Sequence, residues 1–168
     1  MKKVVTLLVA TCLFAIGLSA QNGPRYEGTL ETGYTAFFSP DGGVNSLPGF
    51  DFHYIPGCRI NQNIFVGGGI GLSPTLLALS MPIYANFKYY FTGTLSDSRL
   101  YPFVNASLGC NIGFLDGDTM AGYYLDISAG CAYELTQKLS LYLKAGLQSF
   151  SVSTDALLGP SFHIGVSF

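Results

Sequence analysis

The sequence predicts an all-β protein, namely an eight-stranded antiparallel up-and-down transmembrane β-barrel. Charged residues make up only 11% of the 168 residues, whereas Phe and Tyr make up 14% and glycine occurs 21 times. Soluble domains usually carry about 25% charged residues. Beyond residue 20, eight segments alternate between an apolar and a polar face, and no uncharged apolar stretch is long enough for a spanning helix. A non-helical chain can satisfy its backbone in lipid only as a closed barrel.

The first 20 residues are predicted to be a cleavable signal peptide. Two lysines precede an apolar stretch at positions 4–18, and the small residues Ser19 and Ala20 follow it. This is the layout of a secretory signal. One alternative is a membrane-spanning helix, which needs ~20 apolar residues and so a longer stretch. The other is a lipoprotein cleavage site at Cys12, to which the preceding Thr11 is a poor fit.

The remaining residues, 21–168, are assigned to one barrel domain. They retain 6 of the 8 basic residues and all 10 acidic ones, so the formal charge is 6 − 10 = −4. Without a basic patch, nucleic acid is not an expected partner. Three cysteines remain, an odd number that argues against a disulfide framework. Cys110 and Cys131 lie on adjacent predicted strands at an expected distance of ~13 Å, too far for a disulfide.

The eight predicted strands share a strict two-residue alternation, and each is long enough for a tilted bilayer crossing. Their ranges are 26–38, 50–60, 64–72, 81–91, 100–114, 123–134, 139–150 and 159–168. All charges within them lie on the polar face: Glu27, Glu31, Asp51, Arg59, Lys88, Asp126, Glu134 and Lys144. Three strands carry two charges each, and both charges always share a face. This agreement within strands supports the alternation.

The predicted connections are 11, 3, 8, 8, 8, 4 and 8 residues long. Outer-membrane barrels alternate long outer loops with short periplasmic turns, and the series follows this rule except at residues 92–99. Both termini would then lie in the periplasm. The sequence leaves the strand boundaries around 73–80 and 92–99 open.

The polar face is predicted to line the lumen. Ten glycines lie on it opposite large tyrosines and phenylalanines, as expected inside a narrow eight-stranded barrel. The bulky aliphatic side chains on the other face would overfill so small a space. Aromatic residues near the strand ends fit the two girdles at the membrane interfaces. The apolar face is therefore expected to contact lipid.

With these features the chain from residue 21 onward resembles the small outer-membrane barrel family of Gram-negative bacteria. This family is typified by the membrane domain of OmpA, by OmpX and by the "outer membrane protein beta-barrel domain" group. The resemblance is based on eight alternating strands and a last strand ending in Phe168. It implies location in the cell outer membrane, contact with outer-membrane lipid, and a role for Phe168 in the signal read by the barrel-assembly machinery. Family functions range from membrane integrity and adhesion to small pores and lipid modification, so the resemblance indicates location better than activity.

The candidate site is a lumen charge network. If the first hairpin is centred near residue 44, Glu27 and Glu31 of the first strand lie on either side of the position that faces Arg59. Charges in a lumen of low dielectric need partners, so a structural ion-pair network that fills the lumen is one interpretation. A gated or narrow ion path is the other. The predicted members are Glu27, Glu31, Arg59, Lys88, Glu134 and Lys144.

No catalytic, cofactor or metal site is predicted. Asp51 with His53, and Ser161 with His163, are the residue types of a nucleophilic site. They are expected to point into the lumen from strands that are not neighbours, so lumen hydrogen bonding is the expected role. The two carboxylates in segment 116–118 fall short of the 6–8 oxygens that Ca²⁺ takes.

Three functions therefore remain open. The first is a non-enzymatic barrel with a structural or interaction role and a lumen plugged by polar and charged side chains. The second is a narrow porin-like channel for ions or small solutes. The third is a soluble secreted barrel that binds a small ligand, which would require charges outside and apolar residues inside. The specific protein partner is not predicted by any of these.

Overall fold

The protein forms one closed antiparallel barrel in which each strand pairs with its neighbours in sequence and β1 pairs with β8. The computed structural model describes residues 24–38, 47–74, 79–93, 99–115, 118–136, 138–152 and 155–168. The strands are β1 (Arg25–Phe37), β2 (Leu47–Arg59), β3 (Ile64–Pro74), β4 (Leu79–Tyr90), β5 (Leu100–Leu115), β6 (Asp118–Thr136), β7 (Leu139–Val152) and β8 (Asp155–Ser167). The predicted fold class is confirmed. Within the described residues, no helix is long and apolar enough to cross a membrane.

The strands extend further than the alternating pattern predicted. β6 begins at Asp118 rather than at residue 123, and β8 begins at Asp155 rather than at residue 159. The connections shrink accordingly, and the two longest, 38–46 and 91–99, lie at opposite ends of the barrel. The predicted alternation of long loops and short turns is therefore wrong. Backbone hydrogen bonds between strands can continue where the side chains no longer alternate between apolar and polar. The alternating pattern in the sequence therefore marks only part of each strand.

The predicted signal peptide, residues 1–20, lies outside the described residues. The same holds for the side chains of segment 116–118 and for the middle of the connections 73–80 and 92–99.

The two faces of the wall differ as predicted. Large aliphatic and aromatic side chains point outward, for example Leu108, Leu143 and Phe162 with 66%, 63% and 62% of their surface exposed. Six of the eight strand charges, all but Arg59 and Glu134, are buried inside. A continuous apolar exterior of this extent would be unstable in water, and it matches a lipid environment.

Glycines make room for the large lumen side chains. A Cβ atom at Gly69 would lie 2.3 Å from the Tyr84 ring, and one at Gly165 would lie 2.3 Å from Cζ of Tyr142. No real Cβ approaches that closely, so each tyrosine ring occupies the space that a side chain at the facing position would need. This explains why glycine is concentrated on the lumen face.

The hairpin registers differ from those predicted. Arg59 pairs with Arg25 across β1 and β2, so the hairpin is centred near residue 42 rather than 44. Along β1, Glu27 is thus two residues and Glu31 six residues beyond Arg25, the residue that pairs with Arg59. Both acids lie on the same side of Arg25, so they do not flank the level of Arg59. Cys110 faces Tyr123, which places it eight positions from Cys131, and both cysteines are free and exposed on the outer face.

Candidate functional site

At the end of the barrel where β1 begins and β8 ends, an ion pair in the lumen lies against a tyrosine ring. Nε of Arg59 lies 2.7 Å from Oε2 of Glu27, at ion-pair distance but outside the angles of a hydrogen bond. The Arg59 guanidinium lies 4.2 Å above the centre of the Tyr90 ring, and the Tyr90 hydroxyl donates to Oε1 of Glu27 at 3.1 Å. The three side chains therefore form a tight group across β1, β2 and β4.

Lys88 lies deeper and is surrounded by aromatic faces. Its Nζ lies 4.7 Å from the ring centre of Tyr142 and 5.3 Å from that of Phe65. The side chain is fully buried, and among the described residues Nζ has no hydrogen-bond partner. The two rings stabilise the ammonium group by cation–π attraction.

The centre of the lumen holds a three-charge group, here called the central ion cluster: Glu31, Asp126 and Lys144. Nζ of Lys144 lies 2.8 Å from Oε1 of Glu31 and 3.2 Å from Oδ2 of Asp126. The Tyr142 hydroxyl donates to the second oxygen of Glu31. One cation is thus shared by two carboxylates that come from β1 and β6.

Side-chain amides extend this cluster from β6 along the neighbouring strands β5 and β4. Nδ2 of Asn105 donates to Oδ2 of Asp126 at 2.7 Å, and Nδ2 of Asn86 donates to Oδ1 of Asn105 at 2.6 Å. Asn86 also donates to the hydroxyl of Ser107 at 2.8 Å. Polar groups of the neighbouring strands β4, β5 and β6 are therefore linked in one hydrogen-bonded chain on the lumen side of the wall.

A second group, here called the histidine cluster, contains Asp51, His53 and His163. Nε2 of His163 lies 3.6 Å from Oδ2 of Asp51, and the two imidazole rings lie 5.8 Å apart. The Thr35 hydroxyl donates to Oδ2 of Asp51 at 2.7 Å, and the Tyr84 hydroxyl lies 2.9 Å from Nδ1 of His53. The cluster joins β2 to β8 although β1 lies between them, because Gly33 leaves space in front of His163.

This arrangement does not form a nucleophilic triad. The Ser161 hydroxyl is buried, and no hydrogen bond from it to another described residue is found. A serine nucleophile needs a base within hydrogen-bond reach. The residues that the sequence singled out for this chemistry therefore meet as a histidine–carboxylate group without an activated hydroxyl.

The structure distributes the six predicted network residues unevenly. Glu27 pairs with Arg59 and Glu31 with Lys144, while Lys88 lies against aromatic rings. Glu134 is only half-buried, and no ion pair links it to the others among the described residues.

Asp126 belongs to the central ion cluster but was absent from the predicted network. The alternation in the sequence places the Asp126 side chain on the lumen face. Its proximity to Lys144 depends on the pairing of β6 with β7, which the sequence does not show.

Phe168 lies at the closing seam of the barrel. Its backbone N–H donates to the Gly28 carbonyl at 2.8 Å, and the Gly28 N–H donates back to the Phe168 carbonyl at 2.7 Å. Its side chain is exposed on the outer face. The terminal residue therefore extends the ladder between β1 and β8 by one pair.

Comparison with solved structures shows what this barrel is similar to. Neisserial surface protein A matches with a TM-score of 0.71 at 18% identity, over 87% of this chain and 98% of that one. The N-terminal β-barrel domain of Pseudomonas aeruginosa OprF matches with 0.55 at 15%, over 84% and 97%. The outer membrane enzyme PagL matches with 0.56 at 13%, over 82% and 97%.

No protein-family model matches the sequence, and neither does any curated protein. The similarity therefore concerns the fold, and the apolar exterior around a charged lumen agrees with it. The chain has the fold of the small eight-stranded outer-membrane β-barrels.

Proposed function

We propose that this chain is an integral outer-membrane protein with a structural or interaction role and with a lumen closed to solutes. The proposal is supported by the charged, polar and aromatic side chains that are buried on the lumen side of the strands. The Arg59–Glu27 pair, the central ion cluster and the histidine cluster follow one another along the axis, and aromatic rings pack between them. The paired charges among them, such as Arg59 with Glu27 and Lys144 with Glu31, resist rearrangement because separating them leaves uncompensated charge at low dielectric.

Enzymatic activity is not part of the proposal. PagL, one of the similar structures, is named an outer membrane enzyme, but it shares only 13% identity with this chain. In the described part of this chain, the buried Ser73 and Ser161 hydroxyls have no hydrogen-bond partner. We also propose that residues 1–20 are removed as a signal peptide and that outer-membrane lipid and the barrel-assembly machinery are the partners.

The soluble ligand-binding alternative is not supported. It requires apolar residues inside and charges outside, and the described strands show the reverse. The narrow channel remains the second candidate because of Lys88, a buried cation with aromatic neighbours and no hydrogen-bond partner among the described residues. Because aromatic rings rather than hydrogen bonds hold the Lys88 ammonium group, moving it would break fewer interactions than moving the other buried charges of the lumen.

Conductance in planar lipid bilayers separates the two candidates. We expect no stepwise conductance from the wild-type barrel. A variant with Tyr84, Tyr90 and Tyr142 changed to Ala removes three buried lumen rings and should conduct, because water then fills the space that the rings leave. The matched control changes three outward tyrosines, Tyr34, Tyr54 and Tyr89, to Ala and should stay silent. Steady conductance of the wild type, lost in Lys88→Met, would favour the channel.

A further inference from the structure

Both histidines of the chain and one carboxylate converge inside the barrel. One ligand atom each from Glu31, His53 and His163 lies within 4.8 Å of the other two, and all three residues are buried. The chain has only two histidines in total. They come from β2 and β8, and Glu31 comes from β1 between them. The barrel wall thus places two imidazoles and a carboxylate around one point in the lumen.

The imidazole nitrogens are incompletely used. Nδ1 of His53 lies 2.9 Å from the Tyr84 hydroxyl, while its Nε2 has no hydrogen-bond partner among the described residues. Neither nitrogen of His163 has such a partner there, although Nε2 lies 3.6 Å from Oδ2 of Asp51. His53 shows the pattern of metal-binding histidines, in which an oxygen orients one nitrogen and the other is left for the metal, and both nitrogens of His163 are without a hydrogen bond.

Glycines hold the two rings in place. A Cβ atom at Gly71 would lie 2.4 Å from Nδ1 of His53, and one at Gly33 would lie 2.1 Å from Cδ2 of His163. The rings therefore pack directly against the backbone of the neighbouring strands. Such packing limits ring rotation, and it supports a defined ligand geometry rather than two freely rotating imidazoles.

The surrounding charge favours an added cation. Three buried carboxylates, Glu31, Asp51 and Asp126, face two buried lysines in this part of the lumen, Lys88 and Lys144. Lys144 is shared between Glu31 and Asp126, so Glu31 can turn toward a metal while Asp126 keeps the lysine paired. The competition with Lys144 is thereby reduced.

We infer that the lumen binds one transition-metal ion, with Zn²⁺ the best match, through Glu31, His53 and His163. Imidazole nitrogen with a carboxylate suits Zn²⁺ and its neighbours, whereas Ca²⁺ and Mg²⁺ prefer oxygen ligands alone. Tetrahedral coordination at about 2.0–2.2 Å separates ligand atoms by roughly 3.3 Å. Glu31 turns toward the two imidazoles to reach this spacing, and the fourth position is left to water or to Asp51.

The test measures Zn²⁺ binding to the folded barrel without a histidine tag, in detergent, after chelator treatment. Zn²⁺ is added to folded protein and, in parallel, during refolding, so that slow entry into the lumen is not mistaken for absence of a site. We expect one Zn²⁺ per chain by elemental analysis. His53→Gln and His163→Gln should each weaken binding at least 100-fold, and Tyr84→Phe about tenfold.

Two controls keep the result decisive. A variant with Cys58, Cys110 and Cys131 changed to Ala should bind Zn²⁺ as the wild type does, since these thiols lie outside the lumen group. If a histidine variant fails to fold, Co²⁺ bound to the wild type should give the visible absorption of a nitrogen- and oxygen-ligated tetrahedral site. Three outcomes would overturn the inference. They are Zn²⁺ binding that survives both histidine changes, Zn²⁺ binding that is lost when the cysteines are changed, and the absence of a Co²⁺ spectrum after refolding.

Discussion

Lys144 is the residue on which the buried charges of the lumen depend most. It is the cation shared by Glu31 and Asp126, and all three side chains are almost completely enclosed. Removing one partner of a buried ion pair is costly because the other charge stays behind without compensation. The stability of the barrel should therefore respond more strongly to this residue than to any single lipid-facing side chain.

Lys144→Met, which keeps most of the side-chain volume, should lower the free energy of unfolding by about 3–5 kcal/mol. Urea titration with gel mobility as the readout of folded barrel measures this. Adding Glu31→Gln and Asp126→Asn to the same variant should restore a large part of the loss, because no unpaired charge then remains. An equal loss in the triple variant would show that packing, not charge, is the cause.

Two adjacent glycines provide a matched test of lumen packing. A Cβ at Gly69 would lie 2.3 Å from the Tyr84 ring, whereas the atom nearest to one at Gly68 is 3.8 Å away. Gly69→Ala should destabilise the barrel by about 1–3 kcal/mol through overpacking, and Gly68→Ala should be close to neutral. Chemical unfolding of the two variants side by side checks the difference. Equal stabilities would contradict the packing described for the lumen.

At the scale of single strands, β8 completes the wall by pairing with β1. Its pairing with β1 runs from Thr29 and Ser167 to Thr35 and Ser161, and Phe168 adds the pair with Gly28. A residue that closes the last ladder is well placed to influence assembly as well as stability.

Phe168→Ala should reduce the fraction of chain that reaches the outer membrane as folded barrel, in keeping with the assembly role proposed for this residue. Phe162→Ala is the control, since Phe162 is an outward aromatic on the same strand. The readout is the heat-modifiable band in isolated outer membranes. If both variants accumulate to the wild-type level, Phe168 has no special part in assembly.

The alternation of residues was sufficient to predict the strand faces but not the strand ends. It placed Asp51, Lys88 and Asp126 inside, because a charge on the lipid face would be costly. It missed the start of β6 at Asp118, since backbone pairing there proceeds without an apolar face.

The histidine cluster could not be predicted from the sequence. His53 and His163 are 110 positions apart and lie on strands that do not pair. Their meeting depends on the diameter of the lumen and on the absence of a side chain at Gly33. Neither the diameter of the lumen nor the position of Gly33 in front of His163 can be read from the spacing of residues in the sequence.

At the scale of the whole molecule, the closed barrel should behave as one detergent-resistant body. We expect the unboiled protein to migrate faster than the boiled protein on a denaturing gel, because an intact barrel binds less detergent and stays compact. Identical migration, together with recovery of the protein in the soluble fraction, would contradict the outward orientation of the apolar face.

The first hairpin is joined to the rest of the wall by two backbone ladders and by side-chain contacts inside the lumen. On one side, the ladder from β2 to β3 is interrupted at Ile55 and Pro56, although the register is the same before and after the gap. Inside the lumen, His53 of the hairpin contacts β4, Glu31 contacts β7 and Asp51 lies close to β8.

A chain cut at the turn 60–63 should consequently reassemble from its two pieces. The short piece would supply Glu31 and Asp51 and the long piece Lys144 and His163. Attraction between these groups inside the lumen would then guide the reassembly of the two pieces.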